Sequence, residues 1–184
     1  MTKSLTGKVA LVTGGSRGIG AATAVLVGRY LGAREPREAG RTGWMGLGFS
    51  LLCMIVAGVT LLLFPDTILG SFSGDKTVLL VAHNLLLIAA LFQISDGIQT
   101  SLTGALRGIG DTRTPVLANF VGHWLIGLPL SLWLCFNQHW GVSGIWVGLA
   151  MGLSVVALWL LIVWAVRLRQ NDFKLDHLET PTAH

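Results

Sequence analysis

The run VLLVAHNLLLIAALFQISDGIQTSLTGAL, from Val78 to Leu106, limits what this chain can become more than any other stretch. Its only charge is Asp96, and the turn RGIGDTRTP follows it. At about 1.5 Å of rise per residue, a helix of that length exceeds the roughly 30 Å core of a bilayer. A carboxylate inside such a helix costs about 2.5–3.5 kcal/mol on insertion scales, so Asp96 is expected to avoid lipid. Gln93, Asp96, Thr100 and Thr103 recur at helical spacing and form one stripe, with Gln99 beside it. A polar stripe on an apolar helix faces protein or a water-filled cavity, and ionisable groups there mark transport pathways. The blander alternative is a hydrogen bond from Asp96 that fixes packing against a neighbouring helix.

Composition points the same way. Hydrophobic residues make up 52% of the chain and charged residues 12%, about half the charged share of soluble domains. The 7 Trp and 24 Gly suit helices in lipid, where Trp sits at interfaces and Gly permits close packing. The net charge of +4 comes from basic residues in short loops between apolar runs, not from a basic face, which excludes nucleic-acid binding. Cys53 and Cys135 both lie in apolar runs, and the His residues lack metal-ligand spacing, so neither a disulfide framework nor a metal site is expected. A secretory leader is not expected either, because TGGSRG interrupts the first apolar stretch.

Four apolar runs read as membrane helices, at about 44–64, 78–106, 115–136 and 142–166. Pro65 closes the first, and Thr114 with Pro115 forms a cap and first turn for the third. Gly127-Leu128-Pro129 is expected to kink that third helix. In the fourth, Gly144, Gly148 and Gly152 stand four apart and suggest a close helix contact. His83 reads as an interfacial polar group and His123 as a packing residue. The apolar piece between Arg17 and Arg29 is too short to span and reads as the tail of a helix. Residues 170–184 form a polar tail.

Charge placement orients these spans. Arg29, Arg34, Arg37 and Arg41 flank the first span on one side, and Lys76 stands alone on the other. Arg107 and Arg113 follow the second span, no Lys or Arg lies in 137–141, and Arg167, Arg169 and Lys174 follow the fourth. The alternation places both termini in the cytoplasm by the positive-inside rule.

Residues 1–22, MTKSLTGKVALVTGGSRGIGAA, read differently. Lys8 to Val12 is β-branched, then Gly-rich, then Ala-rich, which predicts a strand, a turn and a helix start. With Gly14, Ser16, Gly18, Ile19 and Gly20, the stretch resembles the cofactor-binding opening of short-chain dehydrogenases/reductases. That resemblance implies a pyrophosphate held at a helix N-terminus. It stops after about twenty residues. Tyr30 is the sole tyrosine, and Arg34 stands where that family needs its Lys. No second strand follows, so one βα unit could not bury its own faces. NAD(P) binding is not expected.

Residues 21–169 resemble the C-terminal part of a bacterial multidrug and toxic compound extrusion (MATE) transporter. The residues that carry this are VGRYLGA, LFPDTILGSF, FQISDGIQ, GALRGIGDTRTP, WLIGLPL and GVSGIWVGLAMGL, in order. The resemblance implies an all-α polytopic fold, with the spans matching helices nine to twelve and residues 21–32 the end of helix eight. It also implies export of organic cations and drugs against Na⁺ or H⁺, in the bacterial inner membrane, with no tightly bound cofactor. Asp96 matches an acidic position in the family's coupling-cation site, and Gln93 and Gln99 join it as candidates. The partner Glu from the seventh helix has no counterpart here. One incomplete lobe is not expected to transport alone, so a complementary transporter half is an implied partner. The residues GIGAA fit both resemblances. A membrane-anchored reductase and a non-functional chimera are the alternatives from other classes.

Overall fold

The computed structural model describes the backbone of residues 6–65 and 76–169, and the side chains of 17–65 and 85–169. The fold is all-helical. Helix α1 spans Thr6–Gly32, α2 Pro36–Leu63 and α3 Lys76–Gly108. Helix α4, Arg113–Phe120, runs through a π-helical segment, Val121–Gly127, into α5, Leu128–Phe136; α6 spans Gly141–Arg169. Four segments are long and apolar enough to cross a membrane: Pro36–Leu63, Leu85–Gly108, Arg113–Phe136 and Gly141–Arg169. At 28 residues, α2 is about 42 Å long, enough to cross with some tilt. His83 and the polar tail beyond residue 169 lie outside the residues whose side chains are described.

Local chemistry sets the ends of these helices. Pro36 occupies the first turn of α2, where its missing N–H costs nothing, and Glu38 there favours the positive end of the helix dipole. At the end of α1, Arg34 takes a left-handed φ of 62°. Its N–H bonds to the Leu31 carbonyl at 3.0 Å, and the Glu35 N–H bonds to the Tyr30 carbonyl at 2.9 Å. This paired closure satisfies two helix-terminal carbonyls. The same closure ends α3. Gly110, at φ +83°, supplies the left-handed residue. Its N–H reaches the Arg107 carbonyl at 3.0 Å, and that of Asp111 reaches the Leu106 carbonyl at 2.9 Å. The second RGIG is therefore a helix-terminating turn.

The π segment has a cause in the chain. Pro129 has no N–H to return to the preceding turn, and its ring crowds a carbonyl there. A wider turn just upstream relieves both problems, and the Leu128 N–H reaches back to the His123 carbonyl. The expected kink is thus a bulge that begins at Val121.

Helix α3 packs against α1, α2 and α6, and is the centre of the fold. Val27, Leu47, Leu102, Leu106, Leu160 and Trp164 are buried at its junctions. Outward faces are apolar too: Phe49 is 60% exposed, Leu91 65% and Leu158 58%. That distribution suits lipid, which solvates such side chains as well as a protein core does. Close approach relies on glycine. A Cβ on Gly148 of α6 would lie 2.4 Å from the Ser131 amide nitrogen, so the expected glycine contact forms between α5 and α6. Ser131 fills the gap, its hydroxyl donating to the Ile145 carbonyl at 3.0 Å.

The predicted N-terminal strand is not formed. Lys8 to Val12 and the Gly14–Gly20 motif lie within α1, and the described residues contain no strand. The helix passes through residues 22 and 23 without a break. A β-branched run and several glycines disfavour a helix in water, yet both are common where helices pack in an apolar setting. Gly20 shows the reason: a Cβ there would meet the Thr100 carbonyl oxygen at 2.7 Å, and one on Gly104 would meet the Gly20 carbonyl oxygen at 2.0 Å. The glycine that reads as a pyrophosphate contact is a contact between α1 and α3.

Candidate transport cavity

A cavity of 540 Å³ opens between α1, α3 and α4. Helix α1 contributes Arg17, Gly20, Ala21 and Ala24. From α3 come Asp96, Gln99, Thr100, Thr103, Gly104 and Arg107, and from α4 Asn119. The i, i+3, i+4 spacing of the α3 residues puts them on one face, and the glycine contact with α1 sets the width beside them. Asp96 is half-buried at the cavity wall.

The amides are held in a chain. Gln99 Nε2 donates to Asn119 Oδ1. Asn119 Nδ2 donates to the Pro115 carbonyl at 2.7 Å, and the Asn119 carbonyl lies 3.2 Å from His123 Nδ1. The Pro115 carbonyl lies one helical turn before Asn119, within reach of its side-chain amide. The Thr103 hydroxyl oxygen is buried and has no hydrogen-bond partner. His123 thus serves the backbone of its own helix, in line with a packing role.

Helix α3 is polar on its other faces as well, and this separates the predicted site residues. Asp96 and Gln99 come together at the cavity. Gln93 does not line it; its Oε1 is buried on the α2 side, 3.6 Å from where a Cβ on Gly58 would lie. Nearby, Ser50 of α2 donates to the Gly97 carbonyl at 3.0 Å, and Ser95 pairs with Ser154 of α6 at 2.9 Å. The stripe from Gln93 to Thr103 therefore divides, because α3 has neighbours on more than one side. Of the glycines that resemble a cofactor motif, Gly20 lines the cavity, while a Cβ on Gly18 would touch nothing within 4 Å.

A second polar cluster, absent from the sequence reading, closes the turn between α3 and α4. Asp111 Oδ1 accepts the Thr114 N–H at 3.0 Å, and Oδ2 accepts the Thr114 hydroxyl at 2.7 Å. Arg167, near the end of α6, donates to the same Oδ2 at 2.7 Å. Burial pushes the Asp111 carboxyl up. The Thr114 hydrogen bonds, the Arg167 guanidinium and the Arg113 N–H outweigh burial and hold the carboxyl below its ordinary value. Thr114 was expected to cap the third span. The cap position belongs to Thr112, which makes no side-chain cap bond, and Asp111 takes over that task. The Asp111-x-x-Thr114 spacing was a readable signal for this; the partnership with Arg167 was not.

Comparison with known proteins agrees with this architecture. The MatE family model matches residues 8–133, beginning inside the stretch whose glycines resemble a dehydrogenase. The chain is 42% identical over 159 residues to the multidrug resistance protein NorM of Burkholderia vietnamiensis, covering 84% of this chain and 34% of that protein. It is 38% identical over 152 residues to a probable NorM of Pseudomonas aeruginosa, covering 80% of this chain and 31% of the relative. The eukaryotic MATE transporter AtDTX14 superposes with a TM-score of 0.72 at 25% identity, over 84% of this chain and 36% of that one. An outward-facing MATE transporter of the MOP superfamily superposes at 0.77 and 18% identity, over 93% of this chain and 38% of that one. Four bilayer-length helices, the MatE match and the NorM identities agree: the chain belongs to the MatE family and spans about a third of the length of the curated relatives it matches.

Proposed function

We propose that this chain forms part of a drug antiporter of the bacterial inner membrane, with both termini cytoplasmic, and that Asp96 is its coupling site. The observation that supports this most is a half-buried carboxylate at a cavity wall, on a helix long enough to cross a bilayer. Placing a carboxylate there is costly, and a role in binding H⁺ or Na⁺ accounts for it. Gln99, tied to Asn119, would orient the wall that Asp96 shares. Gln93 would act through packing with α2. Organic cations or drugs are the expected exported class, and transport would need a complementary half, because alternating access depends on two lobes moving around a site between them.

The test is drug susceptibility of an efflux-deficient host. The chain is expressed together with the N-terminal portion of a NorM relative, as wild type and as Asp96→Asn, with membrane levels matched. We expect resistance in the wild type and its loss in Asp96→Asn. Equal resistance in both would remove Asp96 from the mechanism. Varying external Na⁺ against pH in the same cells separates the two coupling ions.

A further inference from the structure

The helical period places Arg37, Arg41, Trp44, Gly48, Leu52 and Ile55 on one narrow stripe of α2. That stripe faces outward: both arginines are exposed, and Trp44 is 43% exposed, Leu52 58% and Ile55 47%. The other side of the helix is taken up by packing. Ala39, Gly40 and Gly43 are buried, and a Cβ on Gly40 or Gly43 would strike Leu168 or Trp164 of α6.

The order of groups along the stripe follows the order of groups in a phospholipid. Arg37 and Arg41 stand one turn apart on a continuous helix, which brings their guanidiniums within reach of one phosphate. Arginine suits that task because its planar donors match phosphate oxygens two at a time. Among the described residues neither arginine has an ion-pair partner, although Glu35 and Glu38 are close in sequence. Trp44, nearly one turn deeper, has the amphipathic ring that settles at headgroup level. At Gly48 the outline steps inward. That residue is exposed, and a Cβ on it would meet nothing within 4 Å, so a notch lies between Trp44 and Leu52. From Trp44 to Ile55 the stripe runs about 16 Å, close to the ~15 Å hydrocarbon depth of one leaflet.

We propose that this face of α2 binds an anionic phospholipid, with its phosphate between Arg37 and Arg41 and an acyl chain along the Gly48 notch. A soluble phosphate would use the two arginines alone, whereas the apolar stripe below Trp44 continues for the depth of a leaflet. The proposal does not depend on Asp96, nor on which side of the membrane the start of α2 faces.

The experiment is native mass spectrometry of the full chain in detergent, titrated with dioleoyl phosphatidylglycerol or with dioleoyl phosphatidylcholine. We expect the first phosphatidylglycerol to bind about tenfold more tightly than phosphatidylcholine, in keeping with two arginines at a membrane surface. Arg37→Gln combined with Arg41→Gln should bring the two lipids to equal affinity, while Lys at both positions should keep most of the preference. Arg113→Gln, at the exposed start of α4, should change nothing. Gly48→Leu fills the notch and leaves the charges, so both lipids should weaken severalfold with the preference intact. Excess glycerophosphate should not displace phosphatidylglycerol. The proposal is overturned if wild type binds both lipids equally, or if the double Gln variant keeps its preference while its helical circular dichroism matches wild type. It is also overturned if Arg113→Gln loses the preference equally, if Gly48→Leu leaves both affinities unchanged, or if glycerophosphate competes.

Discussion

Replacing Asp111 with Ala removes two kinds of support at once. Its Oδ1 satisfies the Thr114 N–H at 3.0 Å, a helix-start contact whose loss costs about 1 kcal/mol. Its Oδ2 meets Arg167 at 2.7 Å, where the Arg167 side chain is 34% exposed and that of Asp111 11%. Screening at the arginine end limits that pair to about 0.5–1 kcal/mol. Together the loss should be about 2 kcal/mol at neutral pH, with Arg167→Ala alone costing less and the double variant showing coupling. The pH dependence has a definite sign. The folded carboxyl lies below its unfolded value of about 3.9, so the unfolded chain takes up a proton first as pH falls. The ionic contribution is therefore fully present above that unfolded value and is lost as pH drops through the folded one. Unfolding of the purified chain in mixed micelles, followed by helical circular dichroism from pH 7 to pH 3, measures both quantities. Equal stability of Asp111→Ala and wild type at neutral pH would refute the reasoning. So would a gap that widens as pH falls.

Other perturbations test the packing and the topology. Gly104→Ala places a methyl 2.0 Å from the Gly20 carbonyl oxygen, so α1 and α3 must separate; a loss of about 1–3 kcal/mol in the same unfolding assay is expected. Trp164→Ala empties a fully buried site above Gly43 and should cost about 3–5 kcal/mol, the largest loss of the set. Gly110→Ala forces a methyl-bearing residue to φ +83°, and should lower stability by about 1 kcal/mol while leaving helix content unchanged. Alkaline phosphatase fused after His139 should be active and after Arg169 inactive, as a cytoplasmic C-terminal end requires.

The membrane helices were legible because span length is a coarse, one-dimensional signal. Only residues near the ends depended on detail, as where Pro36 lets α2 begin a full two turns before Trp44. The glycine ladder of α6 was legible because its residues share a face, and its partner, Ser131, lies on the preceding helix. The N-terminal stretch departs from its local pattern for a physical reason. Val9, Val12 and the glycines locally favour a strand and a turn, while the helix α1 that contains them packs against α3. Arg17 and Asn119 were hidden as site residues because they reach the cavity from helices far from Asp96 in sequence. The division of Gln93 from Asp96 depends on where α2 sits, which no periodicity on α3 alone can report. The Arg167 partnership joins the end of one helix to the start of another, with no local pattern to betray it.

The most direct test asks whether the Asp96 wall faces water and binds substrate. With Cys53 and Cys135 changed to Ser, single cysteines at positions 96, 100 and 91 are treated with a membrane-impermeant maleimide in inverted and right-side-out vesicles. We expect positions 96 and 100 to react and to be protected by a drug that the co-expressed halves export. Position 91, whose leucine is 65% exposed on the lipid-facing side of α3, should stay unlabelled in both orientations. Labelling at 91 but not at 96 would contradict the placement of α3 and, with it, the transport role of Asp96.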